Sequence, residues 1–169
     1  NWFTGVPYAV ASEKWIVANK NSTIQSVDTA QLTYALMTIA SNTGNVGIGP
    51  TSPSEKLDVA GNIKIQAALL SNQDNTDVDT GTETVANVAI ATYTAAFFDF
   101  VIKKGTNVRS GTVYACHDGT NVEFTETSTQ DLGDTSDVTL SVDISGGNMR
   151  LRATTTSDDW SVKSLIRAI

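Results

Sequence analysis

Apolar residues in segment 44–66, GNVGIGPTSPSEKLDVAGNIKIQ, occur as separated alternating pairs. The pairs are Val46 and Ile48, Leu57 and Val59, and Ile63 and Ile65. Alternation with a period of two places both members of a pair on one face of a strand. The breaks inside and between the pairs are Gly47, Gly49, Pro50, Pro53 and Gly61. Because glycine and proline interrupt regular structure, the segment is predicted to form very short strands that turn repeatedly.

Strands this short limit how the segment can be stabilised. Ordering a residue costs roughly 1 to 2 kcal/mol of backbone entropy, and a strand of a few residues buries little apolar surface in return. Neighbouring copies of a unit can complete a core that one copy cannot build alone. We therefore expect three copies of the chain to wind around one axis and to bury their Val, Ile and Leu side chains against each other.

The preceding residues, 1–43, mix aromatic and β-branched residues with polar turns and show no sustained helical period. Short strands are predicted near Trp15–Asn19 and Leu32–Ile39. Alanine, leucine and methionine in the second stretch also allow a helix, whereas its threonine and tyrosine residues favour the strand. Residues 1–66 are thus predicted to form the all-β stem of an intertwined trimeric fibre.

Residues 67–83, AALLSNQDNTDVDTGTE, are dense in Asn, Asp, Thr and Gly and offer few side chains to bury. We predict a linker there. Apolar runs then recur at about 85–91, 95–103, 107–116, 121–129, 137–144, 148–155 and 160–168. Seven strands connected as a meander are the simplest interpretation, with a bulge in the last one.

Alternation within these runs gives each strand an inner and an outer face, as at Phe98, Phe100 and Ile102. The turns between runs contain residues that tolerate positive φ, as hairpins require. They are Lys104–Asn107, Asp118–Asn121 and Ser145–Asn148. Residues 84–169 are predicted to form an antiparallel β-sandwich at the tip of the stem.

The charge argues against several functions. The net charge is −7, and the 11 lysines and arginines are scattered, whereas nucleic-acid binding needs them clustered. No run approaches the roughly 18 apolar residues of a membrane-spanning helix, so membrane insertion is not expected. The single cysteine, Cys116, allows no intrachain disulfide and argues against a thiolate zinc site. No cofactor is predicted.

The string GNVGIG invites a nucleotide-binding interpretation, but its glycines are spaced G-x-x-G-x-G and not G-x-G-x-x-G. No long helix follows to present backbone amides to a phosphate. Dinucleotide binding is therefore not predicted.

His117 lies between Cys116 and Asp118. Adjacent strand residues point to opposite faces, so Cys116 and His117 do not form a catalytic pair. A structural histidine near a turn is the simpler interpretation. One alternative is that three copies gather their His117 side chains into a metal site on the trimer axis.

The acidic residues receive similarly simple interpretations. Asp74, Asp77, Asp79 and Gly81 resemble part of a calcium loop but lack its full spacing and its later glutamate, so a solvated loop is expected. The carboxylates that might be paired for glycoside hydrolysis are Asp131, Asp134, Asp137, Asp158 and Asp159. They sit in Gly-, Ser- and Thr-rich turns with no apolar surroundings to raise a pKa. No residue is predicted to be catalytic, and the protein is not expected to be an enzyme.

Exposed aromatic residues can stack on sugar rings while nearby Asp and Asn bind hydroxyls. Trp160, Tyr93 and Tyr114 are candidates for stacking, with core packing as the alternative for each. The residues predicted to bind a receptor are Asp118, Asn121, Asp134, Asp158 and Trp160.

Segments Gly44–Pro53, Glu55–Val59 and Gly61–Ile63 together resemble a stem segment common in phage tail fibres and in related bacterial surface proteins. In that group the segment lies upstream of an intramolecular chaperone domain of the endosialidase type, which assembles the trimer and can be cleaved off. Pro50 departs from the pattern, which usually has threonine there; it keeps the turn but removes one backbone donor.

Two later segments, Tyr114–Thr120 and Asp143–Leu151, are similar to a β-sandwich module at the ends of marine phage structural proteins. Together the resemblances imply a homotrimeric, extracellular tail fibre of the virion that contacts other virion tail proteins and attaches to a host-cell surface glycan or protein. Three copies of a weak site gain avidity by factors on the order of 10² to 10⁴.

Two other classes of function stay open. A head fibre or a bacterial surface filament could carry the same stem segment without a receptor role. A tail-spike polysaccharide depolymerase would need a long parallel β-helix, for which 169 residues leave little room.

Overall fold

The structure is a computed structural model that describes residues 2–5, 14–19 and 34–169. The chain divides into two compact units, Asn1–Gly61 and Asn62–Ile169, called here the first and second units. Every regular element among the described residues is a β-strand, which confirms the all-β prediction. None of these residues belongs to a helix capable of spanning a lipid bilayer.

The described residues of the first unit form a five-stranded sheet in which the strands lie in chain order. Its strands are β1 (Trp2–Gly5), β2 (Lys14–Asn19), β3 (Ala35–Ala40), β4 (Val46–Ile48) and β5 (Leu57–Val59). Neighbours from β1 to β4 are antiparallel, and β4 pairs with β5 in parallel. The predicted strands near 15–19, 46–48 and 57–59 are confirmed. The segment predicted at 32–39 is a strand from residue 35 onward, and residues 32 and 33 lie outside the described part.

The second unit contains two antiparallel sheets. Its strands are β6 (Ile63–Ile65), β7 (Ala68–Val78), β8 (Gly81–Ala89), β9 (Ala95–Lys104), β10 (Asn107–His117), β11 (Val122–Ser128), β12 (Thr139–Ser145), β13 (Asn148–Thr155) and β14 (Trp160–Ala168). The larger sheet has the order β11-β10-β9-β14-β7-β6, and the smaller has the order β12-β13-β8.

Both sheets of the second unit contribute to one hydrophobic core. Phe98, Ile102 and Ile166 enter it from the larger sheet, and Met149 and Leu151 enter it from the smaller one. All five side chains are fully buried. Burial of each such side chain contributes about 1.5 to 3 kcal/mol. This arrangement confirms the predicted antiparallel β-sandwich.

The predicted linker at 67–83 is wrong, because β7 and the start of β8 occupy it. Strand β7 pairs with β14 on one side and with β6 on the other. Its side chains are mostly polar, and Ser71 and Val78 are among those it buries. Backbone hydrogen bonds to two neighbouring strands hold it, and composition does not report such bonds.

The simple meander is also wrong, because β14 lies between β9 and β7 and the chain changes sheets between β7 and β8. The predicted turns hold, with positive φ at Gly105, Gly119 and Gly146. The irregularity in β14 falls between Trp160 and Val162, earlier than the alternation of the sequence indicates.

Candidate functional surfaces

One face of the first sheet is apolar and open. Strand register aligns two rows of side chains: Trp15, Ile39, Val46 and Leu57; and Val17, Met37, Ile48 and Val59. Because residues two apart on a strand share a face, both rows lie on the same side of the sheet, called here the stem face. Leu57 is 59% exposed, Ile48 42% and Trp15 39%, and the other five are half-buried. The stem face thus exposes large apolar side chains.

The opposite face of this sheet is covered around Thr38. Ile16, Thr38 and Gly47 are paired in register there and are buried. A Cβ atom on Gly47 would lie 2.3 Å from the carbonyl oxygen of Pro50, so the loop after β4 packs directly on this glycine. The buried hydrophobic cluster of the described part of this unit contains three residues, Ile16, Ala18 and Ala35. Among the described residues of the first unit, a small buried cluster therefore accompanies an apolar face with exposed side chains.

Two other glycines of the GNVGIG string, Gly44 and Gly49, adopt backbone conformations that the turns of this unit require. Gly44 and Gly49 have φ of +69° and +96°, in the left-handed region that favours glycine. The Gly44 amide donates to the Ala40 carbonyl at 2.7 Å, and the Gly49 amide donates to the Leu36 carbonyl at 2.9 Å. These amides are engaged within the sheet and do not form a phosphate cradle.

Asp118 and Asn121 lie together in the turn between β10 and β11. The Asp118 carboxylate accepts hydrogen bonds from the Thr120 amide at 2.9 Å, the Asn121 amide at 2.7 Å and the Asn121 side chain at 3.0 Å. Hydrogen bonds from Asn121, followed by that from the Thr120 amide, lower the pKa of Asp118 to about 2. The carboxylate is exposed and ionised, and it closes the turn.

Asp134 and Asp158 lie at the other end of the second unit. The Asp134 amide donates to Asn107 Oδ1 at 3.2 Å, and the Asp158 carbonyl accepts from Lys104 Nζ at 2.7 Å. At about 3.3 Å per residue, strand β10 separates these loops from the Asp118 turn by roughly 30 Å. The predicted receptor residues therefore do not converge on one site.

Trp160 is 2% exposed, so its predicted role as a stacking platform is wrong. Its indole N–H donates to the Ser157 hydroxyl at 2.9 Å. Tyr93 is also buried, and its carbonyl accepts from His117 Nε2 at 2.8 Å. Of the three aromatic candidates, Tyr114 is the one on the surface, with 43% of it exposed.

Tyr114 borders a groove on the outer side of the larger sheet. Strand register places Phe97, Tyr114 and Thr125 in one row and Ala95, Cys116 and Glu123 in the next, and these six side chains are called here the outer groove. The Phe97 and Tyr114 rings meet edge to face with centroids 5.8 Å apart. The cleft has a volume of about 360 Å³. Small side chains at 95 and 116 give it a floor between larger neighbours.

Sequence reasoning did not identify Phe97 as a surface residue, although a signal was present. Phe98, Phe100 and Ile102 define the inner phase of β9 and are buried, so Phe97 must face outward. The guanidinium of Arg167 lies 5.0 Å from the Phe97 ring centroid, and its Nε lies 3.1 Å from the Asp99 carboxylate. An out-of-phase aromatic residue in an otherwise alternating strand indicates a ring on the outer face, and Phe97 is half-buried there.

His117 has a structural role. Its Nδ1 accepts a hydrogen bond from the Gly119 amide at 2.9 Å, so Nε2 carries the proton that it donates to the Tyr93 carbonyl. With both ring nitrogens engaged, His117 offers neither a metal ligand nor a general base in this conformation.

The acidic residues of the loops accept hydrogen bonds from hydroxyls and backbone amides of the same loop or of a neighbouring one. Asp158 accepts from the Thr80 hydroxyl and amide, and Asp134 accepts from the Ser136 hydroxyl and amide. These bonds lower the pKa of both carboxyls, opposite to what a general acid requires. Asp131 likewise bonds Thr135, and Asp137 bonds Thr156 and Ser157.

The carboxylates of Asp77, Asp79 and Asp159 lie within 4.8 Å of one another, whereas Asp74 is not part of this cluster. All three are exposed. Exposed acidic clusters also form without a cation, so no function is assigned to this one.

No protein-family model matches the sequence, and no curated protein matches it. Among solved structures, the chain is similar to the crystal structure of the Acinetobacter baumannii phage AM24 tailspike protein. The similarity has 12% sequence identity and a TM-score of 0.35, and it covers 66% of this chain and 29% of the tailspike chain. A TM-score this low does not establish a shared function.

Proposed function

We propose that this protein is a structural and adhesive component of a phage tail, assembled as a homotrimer. In this proposal the first unit joins three chains into a stem, and the second unit presents receptor-binding surfaces. The observation that carries the proposal is the stem face, where Trp15, Ile48 and Leu57 are exposed, while the buried hydrophobic cluster among the described residues of this unit consists of Ile16, Ala18 and Ala35.

Burial energetics favour partner chains for the first unit. Full burial of a large apolar side chain contributes about 1.5 to 3 kcal/mol, and the stem face holds eight apolar side chains that are exposed or half-buried. Patches of this kind on a folded surface mark interaction sites. A copy of the same chain is the partner present wherever the chain is made, and closed symmetry is the usual form of such assemblies.

The sequence of the stem supports the phage assignment. Segments Gly44–Pro53, Glu55–Val59 and Gly61–Ile63 resemble the stem segment of phage tail fibres. Pro50, which stands where that pattern usually has threonine, lies in the turn after β4. A tail fibre acts outside the host cell on the virion, contacts other tail proteins and binds the host surface. A head fibre or bacterial filament with the same stem would lack the last of these activities.

Receptor contact is assigned to the second unit. Its exposed polar turns include Asp118 and Asn121 at one end and Asp134 and Asp158 at the other. Threefold repetition of a weak site on a glycan or protein of the host surface would strengthen attachment through avidity. Depolymerase activity is less well supported, because the pKa values of Asp134 and Asp158 are lowered.

Light scattering on the native protein tests the assembly. A trimer has three times the chain mass of 17.9 kDa, and a matched sample heated in detergent should return the mass of one chain. Binding of the fluorescently labelled protein to a panel of bacterial cells then tests adhesion. A stable monomer contradicts the trimeric stem, whereas a trimer that binds no cell in a broad panel favours the head fibre or filament.

A further inference from the structure

The outer groove combines an aromatic wall with exposed polar groups. Tyr114 presents its ring beside Phe97, and Glu123 and Thr125 complete the rim; Tyr114, Glu123 and Thr125 are all exposed. Ala95 and Cys116 form the floor, and their side chains are too small to fill the cleft. Small-molecule sites have this composition, with apolar walls and a few polar groups that fix orientation, and begin near 300 Å³ in volume.

We propose that the outer groove binds a neutral sugar unit of a host-surface glycan, an inference that rests on the attachment function proposed above. One face of a sugar ring is made of C–H groups that pack on an aromatic ring, while its hydroxyls lie around the edge. In the groove the C–H face contacts Tyr114, and sugar hydroxyls donate to the Glu123 carboxylate and exchange hydrogen bonds with the hydroxyls of Thr125 and Tyr114.

The charges around the groove select a neutral ligand. Arg167, which lies against Phe97, is paired with Asp99, so its positive charge is largely compensated. Glu123 leaves the rim negative, in a chain of net charge −7. An acidic sugar would place its carboxylate near Glu123, and like charges in close contact are unfavourable. A neutral sugar supplies hydroxyl donors instead.

The same charges disfavour a second copy as the occupant. Two copies packed groove to groove would bring their Glu123 carboxylates together, and like charges repel. Such packing would also remove the polar groups of Tyr114, Glu123 and Thr125 from water in each chain, which costs free energy. The stem face, by contrast, aligns only apolar side chains from β2 to β5 in its two rows. We therefore assign the groove to ligand binding and the stem face to assembly.

The test is a titration of the isotope-labelled full chain with neutral methyl glycosides of glucose, galactose, mannose, rhamnose and N-acetylglucosamine, and with methyl glucuronide. We expect at least one neutral glycoside to shift the amide signals of Phe97, Tyr114 and Glu123, and methyl glucuronide to bind at least tenfold more weakly.

Tyr114→Ser should weaken the binding of the neutral glycoside at least tenfold, and Glu123→Gln should weaken it severalfold and reduce discrimination against the glucuronide. Leu165→Ser, on the same sheet face outside the groove, is the matched control and should bind as wild type.

Each outcome decides between the alternatives. Shifts confined to the groove and lost in Tyr114→Ser or Glu123→Gln support the sugar site. A lower native mass in both Tyr114→Ser and Leu165→Ser would show that this face is an interface between copies, and the sugar site would be overturned. If no neutral glycoside shifts groove signals, the site is also overturned, while a trimeric mass would leave the proposed stem intact. A monomer that still shows the shifts would retain the sugar site and reject the trimer.

Discussion

The indole N–H of Trp160 donates to the Ser157 hydroxyl at 2.9 Å, and that hydroxyl donates in turn to the Asp137 carboxylate at 2.7 Å. The indole ring is 2% exposed, and Lys104 Nζ lies 5.6 Å from its centroid. Trp160 thus joins the start of β14 to two loops of the second unit. A residue in this position stabilises the sandwich and does not stack on a receptor.

Replacing Trp160 should destabilise the second unit. We expect Trp160→Ala to lower its free energy of unfolding by about 3 to 5 kcal/mol, because a large cavity replaces the indole. Ser157→Ala leaves the indole N–H without its acceptor and should cost about 1 to 3 kcal/mol. Urea denaturation followed by circular dichroism measures both effects.

Leu132→Ser, at a residue that is 68% exposed, is the control and should change the free energy of unfolding by less than about 0.5 kcal/mol. Unchanged stability in Trp160→Ala together with lost cell binding would contradict this role.

A charge on the stem face should prevent assembly. Ile48→Asp and Leu57→Asp each place a carboxylate in the rows that the proposed trimer buries, and an unpaired buried charge is strongly unfavourable. We expect the native mass to fall toward one chain in light scattering. Leu36→Asp is the matched control, because Leu36 is 50% exposed but lies on the opposite phase of β3 from Met37. If all three variants remain trimeric, the stem face is not the interface.

The sequence predicted the strands with strong alternation to within a few residues. The run at 95–103 became β9 at Ala95–Lys104, because Phe98, Phe100 and Ile102 are buried on one face and the outer residues are not. The pairs at 46–48 and 57–59 were equally clear, because glycine and proline bound them. In such segments the side chains themselves record which face is buried.

Other features depend on distant residues that no local pattern reveals. Strand β7 is polar, and its backbone pairing with β14 joins residues far apart in the sequence, as in Ser71 with Ile166, which are 95 positions apart. Trp160 is buried because the loops at Ser157 and Asp137 close over its polar edge. Separation of the Asp118 turn from the Asp134 loop likewise follows from strand order. The sequence therefore placed the predicted receptor residues in the sandwich, but it could not show at which end of the sandwich each loop lies.

Gly47 should tolerate no side chain. A Cβ atom there would lie 2.3 Å from the Pro50 carbonyl oxygen, which belongs to the backbone and cannot move without shifting the loop. We expect Gly47→Ala to cost about 1 to 3 kcal/mol in the first unit, as overpacking does, and to reduce the trimer fraction in light scattering. Glu55→Ala, at an exposed position in the same loop, should assemble as wild type. Full assembly of Gly47→Ala would show that the loop can be displaced at little cost.

The Asp118 turn should weaken in acid over a defined pH range. Hydrogen bonds from Asn121 and Thr120 lower the folded pKa of Asp118 to about 2, below its ordinary value of 3.8. A lowered folded pKa means that the carboxylate stabilises the fold above about pH 4 and that this contribution is lost as the pH falls from about 4 to 2. Nuclear magnetic resonance should therefore show the Asp118 carboxyl titrating near pH 2.

Asp118→Asn should remove this part of the acid dependence from urea denaturation curves measured between pH 4 and pH 2. Thr120→Ala keeps the Asp118 carboxylate and the backbone amides that bind it, so it should retain the dependence of the wild type. An Asp118 carboxyl that titrates near 3.8 in the folded protein would mean that the turn is open in solution. In that case Asp118 and Asn121 would be free to bind a receptor directly, since the hydrogen bonds that now engage them would be absent.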